Sequence, residues 1–324
     1  MLSIAELQQL ISDALVQRNF PKTPTTLYDP IHYFLHIGGK RLRPVLTLLA
    51  TQLFEAPVND SIPAALAIET FHNFTLLHDD IMDEAPLRRG RETVHQKWNV
   101  NTAILSGDAL LIIAYQLLAE SNPAYLPQIL TTFNKMAQEV CEGQQLDMDF
   151  ENSMHVSESE YVHMIRLKTS VLLGAALKIG AILGGATPSD QQLIYTFGVN
   201  MGIAFQLQDD ILDVYGDPLK FGKQVGGDII ENKKTYLLIN ALRLAPSAVA
   251  KDIHHWMHLT VFNPEEKVDA ITAIYNTLGI KEQAEATKNR FAQEAYAALD
   301  QINLPREKKQ NLIQFADDLL IRES

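Results

Sequence analysis

Apolar residues recur at three- to five-residue intervals along almost the entire chain, as in Leu46, Leu49 and Leu53 or Leu105, Leu110, Ile113 and Leu117. That period belongs to helices with a buried face. Alternating strand patterns bounded by turn signals are hard to find. Breakers fall between the helical runs: Pro21 and Pro24, Gly38-Gly39, Pro57, Pro86, Asn122-Pro123, Gly184-Gly185, Gly216-Asp217-Pro218, Gly226-Gly227, Pro264 and Pro305. The pattern predicts an all-α chain of roughly ten or more helices.

At 324 residues the length permits two domains or one large helical one. No low-complexity linker divides the chain, so a single domain over residues 1–324 is expected. With 47% hydrophobic and 20% charged residues the chain has ample apolar material for a core. Its net charge of −12 argues against a nucleic-acid partner, which needs surplus Lys and Arg for phosphates. Cys141 is the sole cysteine, which suits a reducing, cytoplasmic setting and excludes an internal disulfide. Cys141 is expected as a small buried side chain. The first twenty residues read as an amphipathic helix and not as a signal peptide. The apolar stretches 109–114 and 172–182 are too short or too interrupted to predict a membrane span.

The chain repeats one acidic pattern. LLHDDIMD at 76–83 and LQDDILDVYGD at 207–217 both place Asp-Asp-x-x-Asp at the end of an apolar helical run. Residues four apart share a helix face, so Asp79 projects with Asp83, and Asp209 with Asp213. Asp80 and Asp210 lie about 100° round the helix. Like charges repel at this spacing, and a helix C-terminus disfavours them further. Either these are solvated acidic helix ends or a cation is missing. All-oxygen donors suit Mg²⁺ or Mn²⁺, with substrate phosphate completing the shell.

A basic counterpart lies in HIGGKRLRP at 36–44, where Lys40, Arg41 and Arg43 follow two glycines and Pro44 marks a helix start. Arg88 and Arg89 follow the first acidic cluster, and Lys168, Lys223, Lys233 and Lys234 follow in RLKTS, FGK and ENKK. Guanidinium forks match phosphate oxygens, so an anion with its metal accounts for both kinds of cluster.

Taken in order, GGKRLRP, HDDIMDEAPLRRG, EGQQLD at 142–147, LKT at 167–169, FQLQDDILD at 205–213, GK and ENKK resemble the trans-type isoprenyl diphosphate synthase family, short-chain type. The resemblance implies a single-domain helical bundle around a deep central cavity, the two Asp motifs facing across its mouth, and a homodimer. It implies Mg²⁺, three ions with substrate bound, on Asp79, Asp80, Asp83, Asp209, Asp210 and Asp213. It places the allylic diphosphate on Arg88, Lys168, Lys223 and Lys233. Isopentenyl diphosphate would lie on Lys40, Arg43, His72 and Arg89. Gln144 and Asp147 would line the same region, and Thr169 and Gln206 would face the developing carbocation. The implied reaction is head-to-tail condensation of isopentenyl diphosphate with an allylic diphosphate.

Product length should depend on bulky residues N-terminal to Asp79 on the same helix. Phe74 lies about 7.5 Å and Phe71 about 12 Å before it at the helical rise. Each is a floor candidate or simply core packing. Thr75 beside Phe74, and the absence of an insertion between the first aspartates, favour geranylgeranyl over farnesyl diphosphate by analogy with relatives. Two other readings stand beside this one. Glu69-x-x-His72 and Glu92-x-x-His95 have the spacing of a di-iron bundle. A non-catalytic homologue would share the fold, although eroded aspartates would be expected of it. His36, His78 and the group His254, His255 and His258 suggest no role beyond packing or solvation.

Overall fold

The computed structural model describes residues 1–324 except 19, 152, 154, 218–224 and 321–324. It is helical almost throughout, as the periodicity predicts, and it divides into two compact units. The first unit comprises residues 1–134, 175–192 and 305–312; the second comprises 135–174, 193–304 and 313–324.

The first unit opens with α1 (Ile4–Gln17), started by a capping box in which Ser3 and Glu6 exchange side-chain and backbone bonds. Next come α2 (Thr25–Leu35), α3 (Leu42–Leu53) and α4 (Ile62–Met82). Every residue of α3 from Pro44 to Leu53 is buried. Only Thr47, Thr51 and Gln52 interrupt the apolar surface of this stretch, which suits a core position, and α3 is packed on α1 and α4. A two-strand ribbon, β1 (Leu87–Arg88) and β2 (Arg91–Glu92), pairs Leu87 with Glu92 and Arg88 with Arg91. Arg89 and Gly90 form its two-residue turn, both at positive φ (54° and 73°), as such tight hairpins require. The short α5 (Val94–Lys97) leads to α6 (Val100–Leu118), capped by Asn99 and laid along α4 and α2.

Four further helices are α7 (Leu126–Glu151), α8 (Glu158–Ile165), α9 (Val171–Leu183) and α10 (Pro188–Tyr215). Between α8 and α9 the chain makes a π turn, Arg166–Ser170. The second unit continues with α11 (Gly227–Ile230), α12 (Tyr236–Leu244), α13 (Ser247–His258), α14 (Pro264–Thr277) and α15 (Ile280–Gln301). The last helix is α16 (Arg306–Leu320). The second unit's core gathers Leu207, Ile211, Leu237, Ile253, Ile271 and Tyr275. Each such side chain, fully removed from water, stabilises the fold by about 1.5–3 kcal/mol.

One expectation is corrected. Cys141 is exposed on α7, because its position falls on the outward face beside Glu142. By length and composition α6 could span a membrane, although a soluble core helix passes the same test and 39% of its most apolar window is buried within the protein.

Candidate active site

In the first unit the acidic motif ends α4, as its sequence suggests. Asp80 is almost wholly buried, at 1% exposure. Its Oδ1 accepts a 2.5 Å bond from Arg88 Nε, and Arg88 Nη2 reaches Asp79 Oδ2 at 3.4 Å. The β-ribbon delivers this arginine. Asp80 Oδ2 has no hydrogen-bond partner. Burial pushes the Asp80 carboxyl up to about 6 despite Arg88, with Asp79 and Asp83 adding to the rise. A buried carboxylate oxygen without a donor, beside two more carboxylates, suits a hard divalent cation.

Opposite charge collects around His72 on α4. Its Nε2 lies 3.1 Å from Arg43 Nη1, so the ring accepts and its proton resides on Nδ1. Burial lowers the His72 pKa far below 6.5, and Arg43, Arg89, Arg88 and Arg41 lower it further. Four guanidinium groups therefore share the surroundings of one neutral imidazole. Arg41 sits at positive φ (49°) at the start of α3, tied to Glu69 and, at 2.6 Å, to Leu35 O. Glu69 is itself buried and bound by Asn73 Nδ2 at 3.1 Å. Arg89 donates to Gly38 O, and a side chain at Gly39 would run into that guanidinium. Gly39 is thus needed for the arginine's close approach. Lys40 is exposed beside it, its carbonyl held by Gln8 Nε2 at 2.9 Å.

Phe71 is 1% exposed and packs edge-on against Phe133, with Phe74 5.5 Å away. Phe74 is only partly buried and contacts His78, 4.9 Å between ring centroids. Thr75 turns back, its hydroxyl bonding His72 O at 2.8 Å.

The second unit carries the other motif near the end of α10. Asp210 is buried; its Oδ2 accepts from Tyr161 OH (2.5 Å) and Tyr236 N (3.2 Å), and its Oδ1 from Gln206 Nε2 (3.4 Å). Burial, then the nearby Asp228, push its carboxyl up to about 8. Asp213 Oδ2 accepts from Asp228 N at 3.0 Å. Asp209 is half-buried on the same helix. Lys233 pairs with Glu231 at 3.2 Å and Asp228 at 4.0 Å. The π turn brings Lys168 to Asp147 Oδ2 at 2.6 Å and Thr169 to Gln206 Oε1 at 3.4 Å. Nearby, Gln144 Nε2 is buried without a partner. Lys223 lies outside the described residues.

Sequence reasoning missed the π turn, the Tyr161 and Tyr236 bonds to Asp210, and the carboxylate of Asp228. The turn is packed between two glycines. A side chain at Gly143 would strike the backbone of Lys168, and one at Gly202 would lie 2.7 Å from Ser170 Cα. Glycines in EGQQLD and in the run before FQLQDD were the available signal. Among the described residues no three His, Cys, Asp or Glu side chains close into a metal cage. Mg²⁺ is usually held by one or two carboxylates, with water and substrate phosphate oxygens completing its shell. Glu69 is committed to Arg41 and Asn73, and His72 to Arg43, which takes two of the four side chains the di-iron reading needs.

Comparison with known proteins agrees with this chemistry. The polyprenyl synthetase family model matches residues 24–278. A geranylgeranyl diphosphate synthase from Methanosarcina mazei is 39% identical over 314 residues, 96% of this chain and 94% of that one. A crystal structure of a geranylgeranyl pyrophosphate synthase superposes with a TM-score of 0.95 at 44% identity, covering 100% of both chains. A geranylgeranyl pyrophosphate synthase from Corynebacterium glutamicum, solved with isoprenyl diphosphate and magnesium, gives 0.89 at 28% identity over 99% of this chain and 100% of that one. With two Asp-Asp-x-x-Asp helices, an arginine cluster and this fold, the chain belongs to the polyprenyl synthetase family of prenyltransferases.

Proposed function

We propose that the chain is a Mg²⁺-dependent geranylgeranyl diphosphate synthase, extending allylic diphosphates with isopentenyl diphosphate. The observation that carries the reading is the crowd of Arg41, Arg43, Arg88 and Arg89 around a neutral His72, beside Asp80 with an unpartnered buried oxygen. The four guanidinium groups repel one another, as do Asp79, Asp80 and Asp83, and an anion with its metal would relieve both sets. The names of the relatives support the product, and the Corynebacterium structure supports magnesium and an isoprenyl diphosphate as ligands.

In this reading Asp79, Asp80 and Asp83, and Asp209, Asp210 and Asp213, hold Mg²⁺, which supplies charge stabilisation to the leaving diphosphate. Arg88, Lys168, Lys223 and Lys233 bind that diphosphate. The allylic carbon–oxygen bond breaks, and its electron pair leaves with the diphosphate. Thr169 and Gln206 face the carbocation with oxygen dipoles. Lys40, Arg43, His72 and Arg89 hold isopentenyl diphosphate while its double bond attacks. The departed diphosphate takes the released proton, so no side-chain base is required. Phe74 with Thr75 limits the chain at twenty carbons, and Phe71 backs it from the core. Farnesyl diphosphate synthesis is the alternative product of the same chemistry. The enzyme works in the cytoplasm as a homodimer, joined through the exposed apolar face of α6.

The deciding assay incubates the protein with isopentenyl diphosphate, Mg²⁺ and, separately, the five-, ten- and fifteen-carbon allylic diphosphates. The dephosphorylated alcohols are then chromatographed. Twenty-carbon alcohol from each primer is expected. Products that stop at fifteen carbons would transfer the assignment to farnesyl diphosphate, and no condensation with any primer would overturn the reading.

A further inference from the structure

Lys267 on α14 is a cation almost sealed from water, at 1% exposure. Burying an ammonium is costly unless its donors are used. Among the described residues it pairs with no carboxylate. Its Nζ donates to Ile230 O at 3.0 Å and Asn232 Oδ1 at 2.7 Å, and lies 4.4 Å from the Phe262 ring centroid. Its hydrogen bonds thus go entirely to the segment that closes α11.

That segment is clamped at several points. Gly226, at φ 81°, lies where a side chain would come within 2.5 Å of Val268, so the chain rests directly on α14. Asn232 is also left-handed, at φ 58°, and its Nδ2 donates to Met257 O on α13 at 3.1 Å. The other side of the segment faces the acidic motif. Gly226 N donates to Asp213 O at 2.6 Å, and Asp228 N to Asp213 Oδ2 at 3.0 Å. Lys233 N then donates to Asp228 O at 2.9 Å, which fixes where the Lys233 side chain departs. Lys267 therefore holds Asn232, the neighbour of the diphosphate-binding candidate Lys233, and Ile230, whose N–H donates to Gly226 O at 3.0 Å in the turn that bonds the metal-ligand candidate Asp213.

We propose that Lys267 is a positioning residue: by holding Ile230 and Asn232 it fixes the Gly226–Lys233 segment that orients Asp213 and Lys233 toward a metal-bound diphosphate. The inference rests on the synthase reading above. Its logic is that of an outer layer of hydrogen bonds supporting metal ligands, whose loss typically weakens metal affinity about 10- to 100-fold. A lysine that only stabilised the fold would change melting and leave metal affinity alone.

The test compares wild type with Lys267→Met, similar in volume, and Asn232→Gly, which keeps the left-handed backbone and deletes the side-chain acceptor. Mn²⁺ binding in the presence of inorganic pyrophosphate is followed by electron paramagnetic resonance. Steady-state rates are titrated in Mg²⁺ and in each substrate, and folding is checked by circular dichroism. Both variants are expected to bind Mn²⁺–pyrophosphate about tenfold more weakly and to need about tenfold more Mg²⁺ for half-maximal rate. The KM for the allylic diphosphate should rise while that for isopentenyl diphosphate stays within about twofold. Folded variants that bind Mn²⁺ like wild type, or that raise both KM values in proportion, overturn the proposal. Should Lys267→Met fail to fold, Asn232→Gly is judged by the same criteria. Wild type that binds Mn²⁺–pyrophosphate but transfers no prenyl group would refute the synthase reading instead, and the Mn²⁺ comparison would still decide the role of Lys267.

Discussion

His72 gives the clearest pH dependence, because its four arginine neighbours and its burial act in one direction. Unfolded, it titrates near 6.5; folded, its pKa lies well below. Between those values the unfolded chain carries a proton that the folded chain lacks, so stability is full above pH 6.5 and declines as pH falls. The slope from this one group is at most about 1.4 kcal/mol per pH unit. Replacing His72 by Asn should flatten the acid side of a plot of melting temperature against pH, between pH 6.5 and 5. Inorganic pyrophosphate should weaken the dependence in wild type, since an anion among the arginines restores the basicity of the ring. An acid slope identical in wild type and variant would remove His72 as its source. Phe74 supports a second prediction. It is only partly covered, whereas Phe71 is sealed against Phe133. Phe74→Ala should lengthen the prenyl products, and Phe71→Ala should mainly lower stability, by about 3–5 kcal/mol. Radiolabelled product chains of unchanged length would dismiss Phe74 as the floor.

The π turn at Arg166–Ser170 shows what a helical pattern can and cannot reveal. Apolar spacing through Tyr161, Ile165 and Leu167 reads as helix whether the backbone bonds step by four or by five, so the widened turn was invisible in the sequence. Its consequence is chemical: Lys168 reaches Asp147 and Thr169 reaches Gln206 from one wide turn. Such turns often mark functional sites. The ends of the elements were far more legible. Pro188 and Pro264 begin α10 and α14, where a missing N–H costs little, and Gly38-Gly39 precedes α3. Both acidic motifs fell at helix ends, as the apolar run before each and the breakers after it predicted, although the helix dipole opposes negative charge there. Lys267 was overlooked because a lysine in PEEKVDA reads as a solvated face; only the packing of α14 buries it. Gly143→Ala tests the π turn directly. The added methyl would meet the backbone of Lys168, which has no free rotation to yield. A loss of about 1–3 kcal/mol in urea unfolding is expected, with a higher KM for the allylic diphosphate and little change for isopentenyl diphosphate. Wild-type stability and kinetics would mean that the turn tolerates displacement and has no positioning role.

Assembly is where a periodic sequence is least informative, since one apolar stripe can serve a core or a partner. The inner residues of α6, Leu110, Ile113, Ala114 and Leu117, are buried within the first unit. The outer stripe keeps Ile104, Leu105 (58%), Ile112 (60%) and Tyr115 exposed. These four recur at helical spacing on one face, with Asp108 among them, and an exposed, largely apolar face of this kind marks an interaction surface. A lipid occupant fits poorly, because Asp108 lies on the same face and is exposed. A second copy fits better: two such faces related by a two-fold axis bury the same residues on each side. With a net charge of −12, two copies also repel, so the apolar contact must outweigh a penalty that grows as salt is removed. Sedimentation equilibrium should therefore give twice the 36.3 kDa chain mass for wild type, more firmly at 0.3 M than at 0.03 M salt. Ile112→Asp places a charge in the middle of the stripe without touching the inner face, and it should sediment as a monomer with an unchanged far-ultraviolet spectrum. If Ile112→Asp remained dimeric, the contact would have to lie on another face, and the exposed stripe of α6 would need a different occupant.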